Sequence, residues 1–392
     1  MLPVLSERLR SLLETDYPRF SDGEMQRRRA AVTAVMAENN VDHLIFYGAN
    51  RAGSAVQWLT QWMVTNEAAG IFTPGERDTV FIHYFNHLPL ARLMAPQTDM
   101  RWAGENTAAN LIDELTKRGA KSGRVGVIGP LGFDAHAALS TRFGPLVNLN
   151  RAYVNLRRVK SAEEHDWFRI GAYFSDLGMA ALRDTSRPGV NERELANAIE
   201  RAYVGLGGQT VIHYIGTTSM HDPQVAVPRQ YCSTRRLQKG DIVFAEITAT
   251  FWDHSGQILR SFTIDEEPTP LYRELYSVAD KAFEAMAGVL RAGALPADVV
   301  KASGVIEDAG FTVIDDILHG YGGGYFPPIL GAKSRSNGPI PEQPFAAGQL
   351  VVVQPNVVTP DGKAGVQSGE MVLITETGIE RMHQLPRGFI RL

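Results

Sequence analysis

Apolar side chains recur at helical spacing through EMQRRRAAVTAVMAENN, where Val32, Val35 and Met36 fall on one side of a 3.6-residue turn. Ser21 and Glu24 stand at capping-box spacing ahead of them, which predicts a helix start there and places Arg27, Arg28 and Arg29 on a solvated outer face. HLIFY (His43–Tyr47), AAGIFT, TVFIHY and RVGVIG are short β-type runs, and LIDELTKRG reads as a helix before the last of them. Strands alternating with helices in this way predict an α/β domain with a central sheet over residues 1–155.

Near residue 156 the pattern changes. LRRVKSAEEHDWFRIGAYFSDLGMAAL opens with Ser161 and Glu164 at capping-box spacing and continues as a long helix. A second helix, in PGVNERELANAIERAYVGLG, is predicted to begin at Asn191, with Glu194 three residues on. A strand QTVIHYIG and a loop rich in Pro, Arg and Gln come next. DIVFAEITAT and QILRSFTI are then joined as a hairpin by the six-residue connector FWDHSG. The order repeats with helices in LYRELYSVADKAFEAMAGVL and PADVVKASGVIEDAG and strands in LVVVQPNVV and EMVLIT. Two helices and a hairpin, twice over residues 156–392, predict two similar halves with both hairpins around one central cleft.

Lys and Arg number 39 against 43 Asp and Glu, a formal charge of −4, which argues against a nucleic-acid surface. No apolar run approaches the ~20 residues of a membrane span. The start, MLPVLSERLR, lacks the basic-then-apolar order of a signal peptide. With Cys232 as its one cysteine, the chain can form no internal disulfide, iron–sulfur cluster or structural zinc-thiolate site. These features predict a cytoplasmic enzyme or binding protein that handles a small molecule, with no nucleic-acid partner and no membrane association.

Four separated stretches say more: RRVKSAEEHDWFRIGA, LQKGDIVFAEITATFWDHSGQILRSFTI, ILHGYGGG and VVVQPNVVTPDGKAGVQSGEMVLITETG. In order and separation they resemble the creatinase/prolidase/methionine-aminopeptidase superfamily. The resemblance implies an α/β (α+β) protein with a pseudo-twofold pita-bread catalytic domain over 156–392 and a small creatinase-like domain over 1–155. It also implies a homodimer in which the small domain of one chain borders the other's cleft. Peptidases of this superfamily hold two divalent metals with two Asp, one His and two Glu. By motif those positions fall on Glu246, Gln257, His319 (in LHG), Gln354 (in QPN) and Gly369, with Glu370 one residue further. Four carboxylates are thereby reduced to one, and neutral Gln oxygens do not balance the charge of a hard dication. A slip to Glu370 does not simply restore the last ligand, because adjacent strand residues face opposite ways. No metal and no cofactor are expected.

Creatinase itself resembles the peptidases in fold and cleaves a C–N bond without metal, so side chains would have to activate water here. Glu246 and His319 are the candidate acid–base pair; a Glu near ~4.3 and a His near ~6.5 need only modest burial shifts to approach neutrality. Gln257 and Gln354 both donate and accept, and are expected to orient a polar substrate. His213, on a strand that lines the pocket in relatives, is a further candidate contact. So are His221 in the next loop, Arg260 on the hairpin, and Tyr321 in HGYGGGYFPPILG, read as a pocket-edge loop. In WMVTNEAAG, Asn66 and Glu67 stand where creatinase presents a substrate-gripping Arg from the partner subunit, and Glu67 suits a cationic or amino-bearing substrate. His254 and Asp253 read as solvent-facing residues of the hairpin tip. The function these readings favour is a metal-independent hydrolase or lyase acting on a C–N bond of a small polar metabolite. The alternatives are an Xaa-Pro-type metallopeptidase with altered ligands and a non-catalytic module that binds a peptide or partner protein.

Overall fold

The computed structural model describes residues 3–50, 53–322 and 324–392, which divide into two compact units: Asp16–Arg157, and Arg158–Leu392 together with residues 3–15. In the smaller unit Ser21 Oγ accepts from the Glu24 N–H at the start of a helix over Asp22–Glu38, and Val32 and Met36 are buried. The arginines of this helix depart from expectation. Arg28 is 1% exposed, ion-paired to Glu24 and held over the rings of Phe20 and Trp58; Arg29 pairs with Asp78 over the Phe72 ring. A guanidinium stacks on aromatic faces while it hydrogen-bonds in its own plane, so a basic run can hide a buried arginine.

Six strands build the central sheet of this unit: β1 (His43–Ala49), β2 (Glu67–Phe72), β3 (Thr79–Ile82), β4 (Asp99–Trp102), β5 (Val125–Ile128) and β6 (Val147–Asn148). Their order is β4-β3-β2-β1-β5-β6, with β1–β2 and β2–β3 antiparallel and the other neighbours parallel. Ile45, Ile71, Phe81 and Val127 from the strands pack with Leu111, Leu115 and Phe143 from helices over Thr107–Lys117 and Phe133–Phe143.

The larger unit opens with two helices whose starts the sequence marks. Ser161 and Glu164 form a reciprocal capping box at the head of Ala162–Thr185, and Asn191 and Glu194 do the same for Glu192–Arg201. Each box satisfies two backbone N–H groups that a helix N-terminus leaves open. Residues 3–15 belong here because Arg8 pairs with Asp166 and the Gln384 carboxamide bonds both the N–H and the C=O of Val4.

The strands that follow are β7 (Gln209–Ser219), β8 (Asp241–Phe251), β9 (His254–Thr263), β10 (Thr312–Val313), β11 (Leu318–Tyr321), β12 (Tyr325–Leu330), β13 (Leu350–Val353), β14 (Val357–Val358) and β15 (Gly369–Ile374). The main sheet runs β12-β11-β13-β15-β9-β8-β7, antiparallel at each of these steps, and β10 pairs separately with β14. The two halves expected from the repeated pattern meet where β9 pairs with β15, Leu259 opposite Gly369 and Ile258 opposite Glu370.

The β8–β9 turn is tighter than the six-residue connector read from sequence. Only Trp252 and Asp253 lie outside the strands, both at positive φ (46° and 67°), the backbone of a type I′ turn whose twist matches that of the strands. His254 therefore sits in β9, its ring against Trp167 and Phe168 rather than in solvent at a tip. Helix Ala162–Thr185 crosses β9 so closely that a Cβ at Gly256 would lie 2.2 Å from Ala172 Cα, and Gly178 of the same helix abuts Ile247. That contact fixes one face of the β8–β9 ladder as the helix side. Residues opposite each other in an antiparallel pair share a face and alternate along the strand. Glu246, Thr248, Gln257 and Leu259 consequently project from the other face.

Candidate active site

Glu246 stands on β8 opposite Leu259, and Gln257 on β9 opposite Thr248, so the two side chains emerge together. Gln257 Nε2 donates to Glu246 Oε1 at 2.7 Å and to Gln354 Oε1 at 3.2 Å. Gln354, buried directly after β13, donates through Nε2 to the backbone C=O of Asp316 at 3.2 Å. A carbonyl can only accept, so the Asp316 C=O sets the orientation of both amides and the chain ends on the Glu246 carboxyl.

His319, on β11, is fully buried. Its Nδ1 lies 2.9 Å from the Gly320 C=O, again an acceptor only, so Nδ1 carries the ring proton and Nε2 keeps a lone pair. That Nε2 is buried and has no hydrogen-bond partner. The imidazole stacks on the Tyr325 ring, centroids 3.8 Å apart, and the Tyr325 hydroxyl donates to Asp316 Oδ1 at 3.1 Å. Tyr321 also adjoins the imidazole, its ring 5.7 Å away. The glycine-rich stretch read as a loop thus contains part of a hairpin, β11 with β12, whose aromatic rings hold the histidine.

Burial, and after it the charges of Asp315 and Asp316, pushes the Glu246 carboxyl up to about 8. Burial likewise pulls His319 down to about 4, against a smaller opposing pull from the Gly320 carbonyl. Asp316 is raised by its own burial and by Asp315 beside it. Near neutral pH the site therefore pairs a protonated Glu246, the reverse of its usual state, with an unprotonated His319.

Asp315 and Asp316 were not singled out from the sequence. Acidic doublets before a strand usually belong to solvated turns, yet Asp316 is only 6% exposed and leaves Oδ2 buried and unpartnered. The available signal was position: DD immediately precedes ILHG, the segment that delivers the histidine.

The other sequence candidates are placed apart from this cluster. His213 pairs with Ile247, one residue out of phase with Glu246, and so lies on the helix side of the ladder. There its Nε2 meets the Tyr203 hydroxyl at 2.6 Å, its Nδ1 lies 3.7 Å from Glu200, and burial depresses it to about 4. His221 is exposed, paired with Glu266 at 2.7 Å beside Gly240. Gly240 precedes Glu246 by six residues, about 20 Å of strand. Asn66 and Glu67 belong to the smaller unit, where the Glu67 carboxylate accepts from the Tyr47 hydroxyl at 3.1 Å and Thr107 Oγ1 at 2.9 Å.

Arg260 is opposite Ala245 and projects away from Glu246. Its guanidinium reaches Glu370 Oε2 at 2.5 Å, and Arg381 pairs with the same carboxylate. Burial alone would raise Glu370; the two arginines more than reverse that and hold it at about 2. Gly369 shares the face of Leu259 and Glu246, but a Cβ there would sit 2.4 Å from the Val353 carbonyl oxygen and 3.0 Å from Gln354 Cβ. The strand register thus turns the available carboxylate to the far face and leaves no room for one on the near face. The family metal positions supply one carboxyl, two carboxamides and one imidazole. Among the described residues, no group of three His, Cys, Asp or Glu side chains is arranged to hold a metal ion.

Comparison with known proteins agrees with this architecture. The chain is 23% identical over 406 residues to the creatinase of Bacillus sp. strain B-0618, covering 95% of this chain and 93% of that one. It is 24% identical over 234 residues to the Xaa-Pro dipeptidase of Pyrococcus furiosus, covering 59% of this chain and 65% of the relative. Among solved structures, the Xaa-Pro dipeptidase from Bacillus anthracis superposes with a TM-score of 0.79 at 17% identity, over 94% of this chain and all of that one. The recombinant prolidase from Thermococcus sibiricus superposes with a TM-score of 0.80 at 17% identity, over 97% and 100%. Residues 167–376 match the profile of metallopeptidase family M24, more than half of the chain, and the chain belongs to that family, its larger unit having the pita-bread fold.

Proposed function

We propose that this member of the family is a creatinase-like hydrolase that cleaves a C–N bond in a small polar metabolite without a metal ion. Glu246 and His319 are its acid–base pair, and Gln257, Gln354 and Tyr321 position the substrate. The observation that carries this reading is the direction of the carboxylates. Glu370 is bound to Arg260 and Arg381 on the far face, and Gly369 has no side chain to offer. Glu246 is tied to an amide chain at the near face. This donor set does not fit two dications, whose charge a single carboxyl cannot offset.

The protonation states supply the chemistry instead. The lone pair on His319 Nε2 takes a proton from water as its oxygen adds to the carbon, and protonated Glu246 gives its proton to the departing nitrogen. Proton transfer from His319 back to Glu246 restores the starting state. The match to creatinase along nearly the whole of both chains supports the same reaction class. We further propose a cytoplasmic homodimer, for which sedimentation at micromolar concentration is the check. In turnover assays over a panel of small amides, amidines and ureido compounds, Glu246→Gln and His319→Ala each lower the rate by about 10²–10⁴. Unchanged rates in both variants remove the assignment.

A second reading, an Xaa-Pro peptidase, is favoured by the match to the Pyrococcus furiosus enzyme. Hydrolysis of Xaa-Pro dipeptides by protein loaded with Mn²⁺ or Co²⁺, abolished by chelation, would select it.

A further inference from the structure

Arg158, where the larger unit begins, is 7% exposed, and its Nε is enclosed without a hydrogen-bond partner. Among the described residues no carboxylate pairs with it, and burial alone acts on its charge, pulling the guanidinium below its ordinary value. The other deeply buried arginines are answered, Arg28 by Glu24 and Arg260 by Glu370. A guanidinium stays charged at any pH a protein works at, so one enclosed without a counter-charge is costly.

The side chain borders a recess formed within the larger unit, with Lys160 and Gln349 beside it and Phe326, Pro328 and Leu350 among the walls. Its polar members offer donors. Lys160 Nζ donates to the carbonyls of Arg158 and Tyr321, and Gln349 Oε1 already accepts from the Ala346 N–H at 3.1 Å, which leaves its NH2 to donate. The recess holds about 180 Å³, part of it open to solvent, and it is a slit with no room for a freely placed water molecule. Two of its sides are the long stems of Arg158 and Lys160, which can shift to admit a flat group.

Three properties select the occupant. An enclosed guanidinium without a counter-charge calls for an anion. A slit favours a planar carboxylate over a tetrahedral sulfate or phosphate, and the guanidinium fork matches a carboxylate in two parallel hydrogen bonds. The apolar walls suit a short hydrocarbon body.

We infer that Arg158 and its recess form a binding site for a small carboxylic acid, with the carboxylate on the guanidinium and the apolar body against Phe326, Pro328 and Leu350. The site is separate from the Glu246–His319 cleft and adjoins it through the backbone. Gly320, whose carbonyl holds His319 Nδ1, and Tyr321, whose carbonyl accepts from Lys160, both border the recess. A bound acid therefore contacts the strand that carries the histidine, at a place that contains no reacting group. The inference does not depend on what the cleft cleaves.

The test compares butyrate with its neutral counterpart butyramide, and with sulfate, by ligand-detected NMR titration of the full chain at pH 7.5. Wild-type protein should bind butyrate at least fivefold more tightly than either. Arg158→Met keeps an apolar stem and removes the charge; it should bring the butyrate-to-butyramide ratio below twofold while its melting temperature shows that it is folded. Butyramide or sulfate bound as tightly as butyrate by wild type overturns the inference, as does a folded Arg158→Met that keeps the fivefold ratio. If Arg158→Met does not fold, photolabelling of wild type with 4,4-azipentanoate, a diazirine acid of similar size, decides the matter. Labelled peptides that carry Arg158, Phe326 or Leu350, protected by excess butyrate, support the site; protected label confined to other segments, those of Glu246 and His319 included, overturns it.

Discussion

Replacing Glu246 by Gln tests the protonation state on which the chemistry depends. The carboxyl is held at about 8 in the folded chain against an ordinary value of 4.5. Between those two pH values the folded state keeps a proton that the unfolded state has released. Stability therefore falls as pH rises, by about 1.4 kcal/mol per pH unit for one such proton. The sign follows from the raised value: the contribution is fully present below pH 4.5 and is lost as pH climbs through 8. From pH 5 to pH 8 the loss from this group is on the order of 4 kcal/mol. Gln has the shape of the protonated acid and nothing to titrate. Urea unfolding at half-unit steps from pH 5 to pH 8.5 should show nearly equal stabilities for wild type and Glu246→Gln at pH 5. The variant should then pull ahead steadily to pH 8. Parallel profiles, or a gap that opens toward acid, would refute the assignment of Glu246 as a buried neutral acid.

Further tests bear on the frame around the site. Glu370→Gln leaves Arg260 buried without its carboxylate and should cost about 3–5 kcal/mol in denaturant unfolding, most of it recovered by the pair Arg260→Met with Glu370→Leu. Gly256→Ala drives a methyl into the backbone of the crossing helix and should destabilise by about 1–3 kcal/mol, read as a lowered melting temperature. His213→Gln, on the helix side of the sheet, should change kcat less than about threefold; a loss comparable to that of His319→Ala would mean that the β7 face is misassigned.

Much of the architecture could be read from short-range signals. The boxes at Ser161 and Asn191 name their helices because each is a contact between residues three apart. The fate of Glu370 was equally legible, since strand alternation needs only the register relative to Gly369. The errors arise where a side chain's environment is set by distant segments. Arg28 resembles a surface residue until Phe20 and Trp58 enclose it. His213 looked like a pocket residue because the corresponding strand lines the pocket in relatives, but a one-residue phase decides the face and only pairing with β8 fixes that phase. His254 was assigned to a tip because the turn was read as six residues, whereas positive φ at Trp252 and Asp253 closes it in two. Asp316 was missed for the same kind of reason: its burial depends on Tyr325 and Gln354, nine and 38 residues away.

The central claim is that the cleft works by side-chain proton transfer and not through bound metal. Calorimetric titration of chelator-treated protein with Mn²⁺, Co²⁺ and Zn²⁺ tests it most directly. The donor set described here predicts no saturable uptake in the micromolar range and the same heats for wild type and Glu246→Gln. Two equivalents bound at micromolar concentration, abolished in the Glu246→Gln or His319→Ala variant, would contradict it.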